Sequence, residues 1–131
     1  MLILSGWVRI VSYDTAVRKQ PNYAIGHFNL GVAYQKLGKR QKAIARYKEA
    51  FRLFRLAAEQ GYANAQYNLG LKYAEGQGVP QDYVSAHMWF NLSGSNGDKD
   101  AVEKRNIVEK KMTKDQISEA QRLARNWKPK K

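Results

Sequence analysis

His27 and His87 are the only histidines, and they lie sixty positions apart. A helical metal pair needs imidazoles one turn apart, or one imidazole with carboxylates converging on the same ion. Neither pattern occurs, and His87 stands beside Met88 and Trp89 in a packing stretch, so no metal ligand is expected. Cysteine is absent, which removes thiolate nucleophiles, thiolate metal sites and disulfides together. A nucleophile would have to be serine, threonine or lysine, and no serine occupies a Gly-x-Ser-x-Gly elbow. Gly76-Gln77-Gly78 lacks a third glycine and no strand signal precedes it, so it does not read as a nucleotide loop. Asp98 and Asp100 stand at a helix start, where capping explains them better than acid–base work. The expectation is no catalytic residue, no metal and no cofactor, and therefore no enzyme.

Charge is the other chemistry available. Lysine and arginine number 23 against 11 acidic residues, a net charge of +12. Residues 1–60 carry +8 and residues 61–131 carry +4. Such a balance suits acidic partners: nucleic acid, anionic lipid or an acidic protein. Lys36, Lys39, Arg40 and Lys42 cluster around a turn and could meet phosphates. Nucleic acid is nevertheless disfavoured, because no docking motif accompanies the charge and the aromatics recur at core positions. A solvated basic surface accounts for the charge without any partner. With 44% hydrophobic residues the chain has enough apolar material for one domain with a real core. No stretch approaches the ~20 apolar residues of a transmembrane helix. A signal peptide's basic start and apolar run are not seen either. A cytoplasmic location is the default expectation.

The elements that would carry any function are repeats. Tyr23-Ala24 and Phe28-Asn29-Leu30-Gly31 through Tyr34 recur as Tyr62-Ala63 and Tyr67-Asn68-Leu69-Gly70 through Tyr73, an offset of 39. Ala50, Phe54, Leu56 and Gly61 recur as Ala86, Phe90, Leu92 and Gly97, an offset of 36. Ile10, Tyr13, Ala16 and Arg18 are echoed 34 residues later by Ile44, Tyr47, Ala50 and Arg52. Related periods of this length mean one ancestral unit with small insertions. Each unit reads as a helical hairpin. Ala24, Phe28, Gly31 and Tyr34 fall at helical spacing, Gly38 punctuates, and Ala43, Ile44, Tyr47, Ala50, Phe51 and Phe54 form a second stripe. Gly31 and Ala43, then Gly70 and Ala86, are small residues where two helices can approach. Gly76-Gln77-Gly78 makes the second turn, and Pro80 is expected to open the following helix. No glycine or proline lies between Lys39 and Gln60, so one helix should run on unbroken, about 20 residues or 30 Å. Its apolar last turns, Ala50 to Ala58, are expected to be buried.

Residues Ala24 to Ala57 resemble a tetratricopeptide repeat (TPR), with Gly31, Tyr34, Ala43, Tyr47 and Ala50 at that family's fixed glycine, aromatic and alanine places. His27 stands where the family carries tryptophan, and Arg55 replaces the terminal proline, whereas Pro21 fits that place in a partial unit before it. The second unit resembles the related Sel-one-like repeat: Ala65-Gln66-Tyr67-Asn68-Leu69-Gly70, Tyr73, Gly76-Gln77-Gly78-Val79, Asp82, Ala86 and Trp89-Phe90 follow its pattern. The likeness covers about residues 9–97, roughly two thirds of the chain. It implies an all-α fold, a right-handed superhelix of helical hairpins, closed by a helical cap. The divisions are a partial repeat at 9–22, a TPR-like repeat at 23–61, a Sel-one-like repeat at 62–97, capping helices at 98–127 and a frayed tail at 128–131. In the cap, Asp98 should cap a helix bearing Ala101, Val108 and Met112, and Thr113 to Gln116 has capping-box spacing before Ile117, Ala120, Ala124 and Trp127.

The family resemblance further implies that the first helices of the repeats line a concave groove for a protein or peptide. The groove residues carried over are Phe28, Val32, Gln35 and Lys36, then Asn64, Tyr67, Leu71 and Glu75. Some TPR domains grip a carboxy-terminal carboxylate, but the matching places here are Phe28, Val32, Tyr67 and Leu71. None is basic or asparagine, so that clamp does not transfer. The partner is an unidentified protein or peptide, with an acidic one suited to the net charge. Two alternatives stand beside this reading: an electrostatic binder of nucleic acid or anionic surfaces, and a self-associating structural fragment. For the last, Ile10, Tyr13 and Val17 would lack a partner helix, and the expectation is either a homodimer through this amino-terminal edge or a monomer in which residues 1–8 fold back over it.

Overall fold

In the computed structural model, residues 24–130 are described. They form six helices: α1 (Ala24–Lys36), α2 (Arg40–Glu59), α3 (Ala63–Glu75), α4 (Tyr83–Ser95), α5 (Lys99–Glu109) and α6 (Lys114–Asn126). No strand occurs among the described residues, and the all-α expectation holds. The expected partial repeat at 9–22 and the amino-terminal edge lie outside the described residues. The chain divides into two compact units, one ending at Leu53 and the other starting at Phe54. The division falls within α2, which nevertheless runs unbroken for 20 residues, as the absence of any breaker requires.

In the first unit, α1 turns into α2 at Gly38, whose φ of +74° suits glycine and few other residues. Lys39 N donates to Tyr34 O at 2.9 Å and closes the end of α1. Leu30 and Ala33 are buried, with Tyr34 and Leu37 packed against them. A Cβ added to Gly31 would lie 2.8 Å from the Tyr47 ring, so the glycine makes room for that aromatic. Tyr47 also touches Phe28, with ring centroids 5.6 Å apart, and its hydroxyl donates to Gln35 Oε1 at 2.6 Å.

The second unit repeats the device. At Gly70 an added Cβ would lie 2.6 Å from Phe90, which is buried against Tyr67 at a centroid distance of 5.9 Å. Ala86, Phe90, Ala101 and Val108 form its core, flanked by Tyr67, Leu71, Tyr73, Ala74, Tyr83 and Met112. α4 packs against α3, α5 and α6. Pro80 does not open α4. The helix begins at Tyr83, capped by Asp82, whose carboxylate accepts from Ser85 N at 3.2 Å and Ser85 Oγ at 2.7 Å. A side-chain acceptor for the orphan N–H outweighs proline's favourable φ.

In the cap, the two expected helices form, but α5 ends at Glu109, short of Met112, and α6 at Asn126, with Trp127 just beyond it. Asp98 accepts from Ala101 N, and Thr113 with Gln116 makes a reciprocal capping box. Two further expectations are corrected. Within the apolar end of α2, Leu53, Phe54 and Ala58 are buried but Leu56 is 50% exposed, because a single face of a helix can meet the core at once. The tail is not free: Lys130 N donates to Glu59 O at 2.8 Å, and its ammonium lies 3.0 Å from Glu59 Oε2. Pro129 also lies against Gly61.

Candidate functional site

The eight groove residues read from the sequence fall on two helices, one in each unit. On α1, Phe28 and Val32 are half-buried while Gln35 and Lys36 are exposed. Phe28 spends part of its surface on Tyr47, and Gln35 is engaged by the Tyr47 hydroxyl. Val32 and Lys36 are the members of this set that face solvent with the least internal commitment. On α3, Asn64 and Glu75 are exposed and Tyr67 and Leu71 are half-buried. Asn64 accepts from Asn68 Nδ2 through both its Oδ1 and its carbonyl oxygen. Tyr67 and Leu71 rest on the core around Phe90, so packing between helices uses one side of each ring or branch and leaves the other outward.

The electrostatic setting of the α3 set was not read from the sequence. Burial pushes the Tyr67 hydroxyl above its ordinary range, and Asp100, Asp98, Glu103 and Glu75 push it the same way. The acids that act on this phenol come from the end of α3 and from the cap and first turns of α5. The sequence signal was there in outline, since Asp100, Glu103 and Ile107 follow i, i+3, i+7 spacing on α5. What was missing was which helix they face.

Two buried polar groups also escaped notice. Lys72 is 2% exposed, with Nζ 3.3 Å from Gln77 Oε1 and 5.7 Å from the Phe54 ring centroid. Burial lowers its pKa to about 8. Gln66 is wholly buried and ties α3 to its neighbours, donating to Ala58 O at 3.3 Å and accepting from Asn96 Nδ2 at 3.3 Å. His87, read as structural, is buried with Nε2 2.8 Å from Glu109 Oε1, a link between α4 and α5. No group of three or more metal-ligating side chains occurs among the described residues. In the first unit, Tyr34, Lys42, Ala45 and Arg46 line a surface depression of about 320 Å³, with Lys42 Nζ 5.6 Å from the Tyr34 ring centroid.

Two helices, a glycine under an aromatic ring and a tight glycine turn thus recur in register. The Sel1 repeat family matches residues 63–98, which are α3, its turn and α4. The TPR repeat family matches residues 10–38, ending at the turn after α1. This chain carries a Sel1 repeat and a tetratricopeptide repeat. The TPR match straddles the division placed at residues 22 and 23, taking in the end of one expected unit and the first helix of the next. Over 58 residues the chain is 38% identical to DAP3-binding cell death enhancer 1 of Rattus norvegicus, covering 44% of this chain and 11% of that protein. The protein of the same name from Mus musculus is 41% identical over 61 residues, covering 45% and 12%. The likeness therefore spans about an eighth or less of those relatives' length. Among solved structures, a protective antigen of uropathogenic Escherichia coli with an SLR fold aligns at 29% identity and a TM-score of 0.60, covering 90% of this chain and 32% of that one. With its Sel1 and TPR repeats the chain is a helical-repeat protein of a kind that serves as an interaction scaffold. No described helix is long and apolar enough to cross a membrane.

Proposed function

We propose that the chain is a non-catalytic scaffold that binds a protein or peptide on the first helices of its repeats, α1 and α3. The observation that carries this is the matching half-exposure of Phe28 and Val32 on α1 and of Tyr67 and Leu71 on α3. Residues at corresponding places in two repeats keep apolar surface outward when burial would be favourable, which is the mark of a surface awaiting a partner. Lys36 and Gln35 on α1, and Asn64 and Glu75 on α3, supply the polar edge of each face. The curated relatives are named for binding DAP3, which supports protein binding as the class of function. Among the described residues the carboxylates that meet a serine hydroxyl, Asp82 with Ser85 and Asp98 with Ser93, are helix caps, which supports a role without catalysis.

The test is capture from lysate by the whole protein, followed by identification of the captured partner and measurement of its affinity. Val32→Asp and Leu71→Asp should each weaken that partner by about tenfold or more, since a charge is placed where apolar contact is made. Far-ultraviolet circular dichroism checks that the helices survive. Full binding by both variants would move the contact elsewhere. The cationic depression of Lys42 and Arg46 favours a second reading, contact with an anionic group on the first unit. Its signature is a steep loss of affinity with salt that Lys42→Gln reduces.

A further inference from the structure

The first unit has a small cationic depression that the packing of its helices does not use. Lys42, Ala45 and Arg46 stand at i, i+3 and i+4 on α2 and share one face. With Tyr34, near the end of α1, they line a hollow of about 320 Å³. Lys42 is exposed, and its Nζ lies 5.6 Å from the Tyr34 ring centroid. Arg46 is half-buried, with Nη1 3.4 Å from Nδ1 of the buried His27. Ala45 contributes only a methyl group, which leaves the space beside the two cations open.

Neither charge is spent on a carboxylate. Glu49 accepts two hydrogen bonds from the Arg52 guanidinium. It also feels Arg46 from one turn away, but no ion pair joins them. Among the described residues no ion pair involves Lys42 or Arg46. No acid stands between Asp14 and Glu49 in the sequence. Placement adds a cost of its own. α2 opens on Arg40, Gln41 and Lys42 with no acid in its first turn, where the helix dipole disfavours cations. An anion in the hollow would relieve both the repulsion between the cations and the misplacement of Lys42.

We propose that this depression binds the phosphate of a phosphorylated side chain on a protein partner, a proposal that rests on the second reading above. Two cations match a group that carries a charge of about −1.5 to −2 at pH 7, whereas one cation would serve a carboxylate. The Arg46 guanidinium spends Nη1 on His27 and has Nη2 and Nε left to donate to phosphate oxygens, while Lys42 acts as a point charge. The volume is at the small end of ligand pockets, which begin at about 300 Å³, and admits a side chain end-on. A nucleic-acid phosphate carries a single charge and is flanked by sugar on both sides, so it enters a hollow less readily than a phosphate at the tip of a side chain.

The test is fluorescence anisotropy on the whole protein with degenerate peptide libraries that differ only at a central residue: phosphoserine, phosphotyrosine or glutamate. A phosphorylated library should bind about tenfold more tightly than the glutamate library, and excess inorganic phosphate should displace it. Lys42→Gln should weaken it about tenfold with unchanged circular dichroism, and Arg46→Gln should do the same. Lys48→Gln removes the same charge from the same helix outside the depression and should change binding by less than about twofold. Equal binding of the glutamate library would overturn the phosphate proposal and leave an anionic contact on the first unit standing. Equal weakening by Lys48→Gln would overturn the site in favour of diffuse attraction to the net charge. A single-stranded oligonucleotide that binds more tightly than the phosphorylated libraries, and loses that binding in Lys42→Gln, would make nucleic acid the occupant and overturn the proposal. So would the absence of binding by every library. None of these results bears on the faces of α1 and α3, which Val32→Asp and Leu71→Asp test on the captured partner.

Discussion

Gly70 meets the Phe90 ring at a distance that a methyl group cannot share, 2.6 Å from an added Cβ. Alanine is the better helix former by about 1 kcal/mol. Here Phe90 is buried and held by Tyr67, so the ring cannot withdraw cheaply, and overpacking costs about 1–3 kcal/mol. Gly70→Ala should therefore lower the melting temperature in spite of its propensity, and thermal unfolding followed at 222 nm reads this directly; an unchanged midpoint would show that the ring gives way. Lys72 makes the opposite kind of prediction. Its folded pKa of about 8 lies below the ordinary lysine value of 10.5 because burial penalises the ammonium. Below pH 8 the lysine is charged in both states and the folded state bears the whole cost. Between 8 and 10.5 the folded state loses its proton first and the cost shrinks, and above 10.5 it is gone. Lys72→Met should stabilise the protein by roughly 2 kcal/mol at pH 7, the contacts to Phe54 and Gln77 offsetting part of the penalty. That gain should fade as pH rises from 8 to 10.5. A gain that is flat across this range would mean that packing, not charge, is responsible. Nothing in the sequence singled out Lys72, because a lysine on a helix is ordinarily solvated and its burial depends on what lies opposite.

The longest element, α2, was legible because a helix continues wherever nothing breaks it. Proline at position 55 removes one backbone donor and clashes with the preceding turn, so Arg55→Pro should cost about 3 kcal/mol or more. Arg55→Ala is the control. It loses an exposed hydrogen-bonded pair with Glu59 at 2.9 Å and should cost less than about 1 kcal/mol. Similar unfolding curves for the two variants would mean that the helix is not continuous there. At the other end of the chain, Thr113→Ala removes the acceptor for Gln116 N, at 3.1 Å, and should cost about 1 kcal/mol in chemical denaturation. Caps such as Thr113 and Asp98 are readable because donor and acceptor lie three residues apart. The start of α4 was misplaced at Pro80 because two local signals competed. The turn that decided for Asp82 is secured from α3, through Gln81 Nε2 to Ala74 O and Asp82 N to Tyr73 O, both 2.9 Å.

For the whole molecule, the net charge of +12 sets the response to salt. Among the described residues the ion pairs are mostly exposed and of sequence-local type, such as Arg52–Glu49 and Arg122–Glu119, and contribute little. Repulsion among 23 cations acts over the whole surface and is screened as the Debye length falls below about 10 Å. Raising sodium chloride from about 20 to 300 mM should therefore raise the melting temperature. A fall would mean that the pairs outweigh the repulsion.

Period and local chemistry determined much of this protein on their own. Helical class, the glycine–aromatic pairs Gly31–Tyr47 and Gly70–Phe90, the long α2 and the caps at Asp98 and Thr113 all depend on residues within one helix or one hairpin. Such relations are written into spacing and need no knowledge of distant partners. The tertiary structure decided what lies opposite what. It put Lys72 and Gln66 in the interior, left Leu56 half exposed, and tied Lys130 to Glu59. Amphipathic periodicity says that a helix has a face but not which neighbour that face meets. For that reason the overall charge of the sequence suggests an acidic partner but does not say which face would meet it.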